Sequence, residues 1–215
     1  MKDGNRRVLK VRNKKWVNQV AAYISQKRIT PNQISIASVF FAVVAGFALV
    51  RFGLLHHVWL LLLAAVMIQL RLLCNLFDGL VAIEGGKSTA SGELFNDVPD
   101  RIADVIILVS LGYAASDFNY AVILGWLAAV LSVMTAYIRT LGTSLNAPTS
   151  FAGPMAKQHR MALVTVACLL AIIEFYVFVS WYSLYVALWL LVSGTLITVY
   201  RRARFIYQFL ENADD

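Results

Sequence analysis

Gly92-Glu93-Leu94-Phe95-Asn96-Asp97-Val98-Pro99-Asp100-Arg101-Ile102-Ala103-Asp104 runs straight into the apolar stretch 105–116, and this join decides the fold. Counted from Ile102, the apolar run is too short to cross a bilayer, which takes about 20 residues. It reaches that length only by including the polar residues 92–101. Those residues then sit at or near membrane depth. Polar groups there are costly unless they face a protein interior or a watery cavity. The stretch therefore points to a membrane protein with a polar site built into it.

Working outward, five further apolar runs lie near 33–53, 57–77, 120–138, 161–179 and 181–200. With 102–116 they predict an all-α membrane protein of six transmembrane helices. Composition agrees. Hydrophobic residues make up 60% of the chain and charged residues 14%, against roughly a quarter charged in a soluble domain. The reading divides the chain into a basic interfacial segment (1–29), a six-helix transmembrane domain (30–204) and a tail (205–215). The first 28 residues are basic and only patchily apolar, so they are not expected to be a cleavable signal peptide. Cys74 and Cys168 fall in or beside spans and read as free thiols.

Charge sets the topology. The net charge is +7. About half of the 19 Lys and Arg precede residue 29, and Arg201, Arg202 and Arg204 follow the last span. This is a positive-inside pattern rather than a nucleic-acid surface, and it predicts that both termini are cytoplasmic. The turns near 84–92 and 140–160 carry Lys87, Lys157 and Arg160 and belong inside, whereas those near 117–119 and 179–182 carry no Lys or Arg. Segment 5–28 mixes Val8, Val11, Trp16, Val20 and Tyr23 with cations, the composition of an amphipathic helix lying in the headgroup layer.

Two polar stripes carry the chemistry. On a helix, Asn75, Asp78, Gly79 and Ala82 share one face, and so do Gly92, Asn96, Asp100 and Asp104. The acids supply hard oxygen ligands suited to Mg²⁺ or Mn²⁺, and such ions suit phosphate substrates. Gly79, Ala82 and Gly92 leave room for a ligand. Arg139, Lys157 and Arg160 gather on the same side and can together hold a phosphate. Taken singly, each reads as a topological cation. His159, His56, His57 and Glu174 read as interfacial or outward-facing residues without a role.

In register and residue type this region resembles the CDP-alcohol phosphotransferase family, whose signature is D-x2-D-G-x2-A-R-x8-G-x3-D-x3-D. Asn75, Asp78, Gly79, Ala82, Ile83, Gly92, Asn96 and Asp100 follow that spacing without a gap. Thr30-Pro31-Asn32 before the first span and Tyr137-Ile138-Arg139 in the fourth are similar to the same family. The resemblance implies a fold of six spans and a homodimer. It implies transfer of a phosphatidyl group from a CDP-linked lipid such as CDP-diacylglycerol to an acceptor alcohol, itself sometimes phosphorylated, with release of CMP. It implies Mg²⁺ or Mn²⁺ held by Asn75, Asp78, Asn96, Asp100 and Asp104. Asp100, with Asp104 one turn on, would serve as general base, and the bacterial inner membrane would be the location. Three positions depart from the signature: Asn75 and Asn96 stand where it has Asp, and Ile83 where it has Arg. These departures leave open an inactive member that binds CDP-lipid or assists membrane assembly. Crowding of the polar residues at one face counts against a transporter.

Overall fold

The computed structural model describes residues 30–84 and 91–212, together with Tyr23. The expected interfacial helix over 5–28, and Lys87 in the first inside turn, lie outside the described residues. Six helices follow in order: α1 (Pro31–Leu55), α2 (Trp59–Glu84), α3 (Gly92–Ala114), α4 (Ala121–Ser144), α5 (Lys157–Phe178) and α6 (Tyr182–Glu211). Five of them, all but α3, are long and apolar enough to cross a membrane. α3 is the exception for the reason its sequence announces, because its first turns carry Asp97, Asp100, Arg101 and Asp104.

Local signals set the helix starts. Thr30 Oγ1 accepts from the Gln33 backbone N–H and Gln33 Oε1 accepts from that of Thr30, with Pro31 opening the helix. This reciprocal capping satisfies two donors that a helix start leaves unpaired. α5 begins where Gly153, at φ +118°, lays the chain flat on α6. A side chain at Gly153 would collide with Thr198. Thr198 Oγ1 then accepts from the Met155 N–H at 3.0 Å, which fixes the approach to Lys157.

Lipid is as apolar as the core, so residue size rather than polarity sorts the faces of these helices. Along α1 the small residues Ser38, Ala42 and Ala45 point inward, with Leu49 and Phe52 below them, while Phe40 and Phe47 point out. Gly112 on α3 and Gly125 on α4 meet backbone to backbone, at a separation that admits no side chain.

The helices close into a ring. α1 packs against α2 and α3, α2 against α5, α5 against α6, α6 against α4, and α4 against α3. α2 and α3 are therefore not close-packed neighbours. They are joined by polar side chains at one end of the bundle, where the starts of α1, α3 and α5 meet the ends of α2 and α4.

α6 continues through Glu211, into the segment expected as a tail. Its last turns are held by packing: Ile206 is buried with Ile138 and Ala147, and Arg202 donates to the carbonyls of Thr135 and Ala152. Arg202 thus does more than mark topology.

Candidate active site

The acids of the two stripes come together, but on unequal terms. Asp78, on the last turns of α2, is buried. Its Oδ2 accepts from Ser35 Oγ of α1 at 2.7 Å, and its Oδ1 is buried with no side-chain hydrogen-bond partner among the described residues. Asp100, two turns into α3, is the hub. Its Oδ1 accepts from Asn75 Nδ2 at 2.9 Å, its Oδ2 lies against Lys157 Nζ, and Arg71 Nη2 is 3.5 Å away. Asn75 therefore faces Asp100 as a donor. An aspartate there would face it as a like charge, which repels unless a cation lies between.

Asp104 differs from the expectation. It is only 1% exposed, and its oxygens are taken by two guanidinium groups, Arg71 Nη2 on Oδ1 and Arg160 Nη2 on Oδ2, each at 2.7 Å. A carboxylate so bracketed and so fully enclosed is closed to a metal ion or a substrate, whereas Asp100, which also has partners on both oxygens, keeps 8% of its side chain exposed. Arg160 is itself only 1% exposed and also donates to the Met155 carbonyl, so it is not a free phosphate clamp. Arg139 is bound by Asp97, with Nη2 at 2.8 and 3.1 Å from the two oxygens. Asp97 thus serves as the counter-ion of Arg139 rather than joining the acids of the hub.

Asn96 is exposed, and Gly79 and Gly92 are half-buried on α2 and α3. Ala82 lies on α2, two residues from Glu84 at its end. His159 turns its ring to the Pro154 carbonyl, in keeping with its reading as filler.

Two contributors escaped the sequence reading. Arg71 is fully buried in α2 and reaches Asp104 together with the Asp100 carbonyl. One arginine in an apolar run is costly by itself, and its spacing of four residues from Asn75 puts it on the same stripe. Those were the available signals. Ser35 lay one turn beyond the Thr30-Pro31-Asn32 motif, and only the fold brings it to Asp78.

The donor set decides what a divalent ion would find. Among the described residues, no three His, Cys, Asp or Glu side chains gather as a metal cage. What is present is one orphaned carboxylate oxygen on Asp78, the carboxylate of Asp100 and the amide of Asn75. Those donors fit a hard cation with much of its coordination left to phosphate oxygens or water. Asp104 does not join them.

A ring of six helices, five of them long and apolar enough to cross a membrane, with acids and cations buried at one end, defines a helical membrane protein with a polar cluster at one end of the bundle. Residues 28–200 match the CDP-alcohol phosphatidyltransferase family, and the chain belongs to it. It is 26% identical over 138 residues to the inner membrane protein YnbA of Escherichia coli, covering 64% of this chain and 66% of that one. It is 24% identical over 177 residues to the phosphatidylinositol phosphate synthase of Mycolicibacterium smegmatis, covering 81% and 76%. The fold is shared with crystal structures of the Mycobacterium tuberculosis phosphatidylinositol phosphate synthase PgsA1 at 22% identity. The complex with manganese and citrate gives a TM-score of 0.74 over 89% of this chain and 88% of that one. The form with CDP-DAG bound gives 0.74 over 90% and 94%.

Proposed function

We propose that this protein transfers a phosphatidyl group from a CDP-linked lipid, such as CDP-diacylglycerol, to an acceptor alcohol and releases CMP. Family membership supports the reaction class. The observation that carries the reading to this site is the pair Asp78 and Asp100, one with an orphaned oxygen and one at the centre of the polar cluster.

Asp100 takes the proton of the acceptor hydroxyl. The hydroxyl oxygen then forms a bond to the lipid-linked phosphorus, and the bond from that phosphorus to the CMP oxygen breaks. Asp78, Asp100 and Asn75 are the residues that would hold Mg²⁺ or Mn²⁺, which when bound neutralises charge on the diphosphate and on departing CMP. Asn75 orients Asp100 through its amide donor, and Ser35 orients Asp78. Asp104 acts through Arg71 and Arg160 and is a positioning residue rather than a base. Gly79, Ala82 and Gly92 leave space beside the two acids for the nucleotide. Arg139 is partly exposed at the mouth, where an acceptor phosphate would share it with Asp97.

The same reading takes α3 as a sixth span, with its polar first turns shielded by the bundle. It places both termini and the site at the cytoplasmic face of a bacterial inner membrane, in a homodimer. The positive-inside pattern supports the orientation.

One observation favours a second reading. Asp97, Asp100 and Asp104 already have Arg or Lys partners, the arrangement expected of a binding protein that has lost turnover. The test is CMP release from CDP-diacylglycerol by the purified protein, with Mg²⁺ or Mn²⁺ and a pool of acceptor alcohols. An Asp78→Ala, Asp100→Ala double variant runs beside it. Metal-dependent release that the variant lacks is the expected result. CDP-lipid binding without release under any acceptor would establish the second reading instead.

A further inference from the structure

We propose that this site takes a single divalent ion on the Asp78 side, and that Lys157, paired with Asp100, is its built-in second cation. The inference rests on the transferase reading of the site and specifies how its charge is arranged.

Asp78 is 4% exposed, and its Oδ1 has no side-chain donor among the described residues. A buried carboxylate oxygen left without a partner is costly, and a cation is the partner that removes the cost. Asp100 is in the opposite condition. It carries an ammonium on Oδ2, an amide donor on Oδ1 and a guanidinium 3.5 Å away. The two acids thus divide the work, one presenting a free oxygen and the other an oxygen already matched.

Position 75 fits this division. With Lys157 supplying a single positive charge, a second carboxylate facing Asp100 would be repelled, whereas the Asn75 amide bonds to it. The amide at 75 and the lysine at 157 are therefore two halves of one device.

Counting charge also limits the number of ions. The carboxylates of Asp78, Asp97, Asp100 and Asp104 lie among the cations Arg71, Arg101, Arg139, Lys157 and Arg160, so the acids are already outnumbered by one before any divalent ion binds. Asp78 alone of these acids has no ion-pair partner among the described residues, and one divalent ion there leaves the site positive, which suits an incoming diphosphate. A second divalent ion would bring two more charges close to an ammonium, with no carboxylate left to share. Such like-charge crowding is strongly unfavourable away from bulk water.

The test is Mn²⁺ binding to the full-length protein in lipid nanodiscs, followed by electron paramagnetic resonance without any lipid substrate. Wild type is expected to bind one Mn²⁺ per chain, and Lys157→Arg also one. Asp78→Ala is expected to bind none at the same concentration. An Asn75→Asp, Lys157→Gln double variant, shown by gel filtration to be folded, is expected to bind two. Two ions or none on the wild type would overturn the inference, a result that needs no variant to fold. A folded double variant that stays at one would overturn it as well. CMP release is scored separately. A chain that binds one Mn²⁺ yet releases no CMP with any acceptor fails the transferase reading and not the ion count, so the two failures are distinguishable.

Discussion

At one end of the bundle Asp78, Asp100 and Asp104 lie buried among Arg71, Lys157 and Arg160. At the other end the helix ends are closed by rings. His56 stacks on Trp181 with centroids 4.4 Å apart, and Phe118 stacks on Tyr185 at 5.1 Å. Glu174 accepts from the backbone N–H groups of Tyr182 and Ser183, capping the start of α6, and His56 Nε2 lies 3.1 Å from Asp117. Acids occur at both ends. At the aromatic end they bond to a helix start and an exposed ring, and a surface turn needs no more. At the polar end they are buried in a place where burial is expensive, and one oxygen is still left without a partner. Expense without a structural return is the usual pointer to a functional site. An apolar groove of about 490 Å³ between α5 and α6 is lined in part by Leu170, Glu174, Phe178 and Tyr182, and by none of Asp78, Asp100 or Asp104.

The contrast can be broken most severely at Asp104. Asp104→Ala would strand two buried guanidinium groups, and removing one partner of a buried ion pair costs about 3–5 kcal/mol. The expected outcome is loss of folded protein on thermal unfolding in detergent. Normal stability would show that Arg71 and Arg160 find other partners.

Ser35→Ala sharpens the comparison without dismantling the fold. It removes the hydroxyl donated to Asp78, and a buried acceptor left unsatisfied costs about 1–3 kcal/mol. CMP release should fall by roughly tenfold, since about 1.4 kcal/mol is a factor of ten. Ser35→Thr, which keeps a hydroxyl, should recover most of it. Equal loss in both variants would mean that packing, not the hydrogen bond, is what matters at this position.

The smallest effect is expected at the aromatic end. Glu174→Ala deletes a helix cap and should lower stability by about 1 kcal/mol, with CMP release per folded molecule unchanged. A loss of turnover there would erase the distinction between the two ends.

Much of this was legible in the sequence. The six apolar runs became six helices, and Asn75 and Asp78 of one stripe lie at the same end of the bundle as Asp100 of the other, because helical period and bilayer thickness are strong local rules. Charge pairing is not local. Asp104 and Arg160 are 56 residues apart, and Ser35 and Asp78 are 43 apart. No spacing rule says which cation an acid will meet. Asp104 therefore read as a free ligand and Arg160 as a phosphate clamp, although each occupies the other. Arg71 went unread because the apolar run around it dominated. Its position four residues before Asn75 was the clue.

The central claim is that Asp100 is the group that takes the acceptor's proton. The most direct test is CMP release from CDP-diacylglycerol by Asp100→Asn, measured beside wild type with Mn²⁺ and the acceptor pool. Asparagine keeps the shape but cannot accept the proton, so turnover should fall by about 10²–10⁴-fold while the protein stays folded. Undiminished release by that variant would contradict the account.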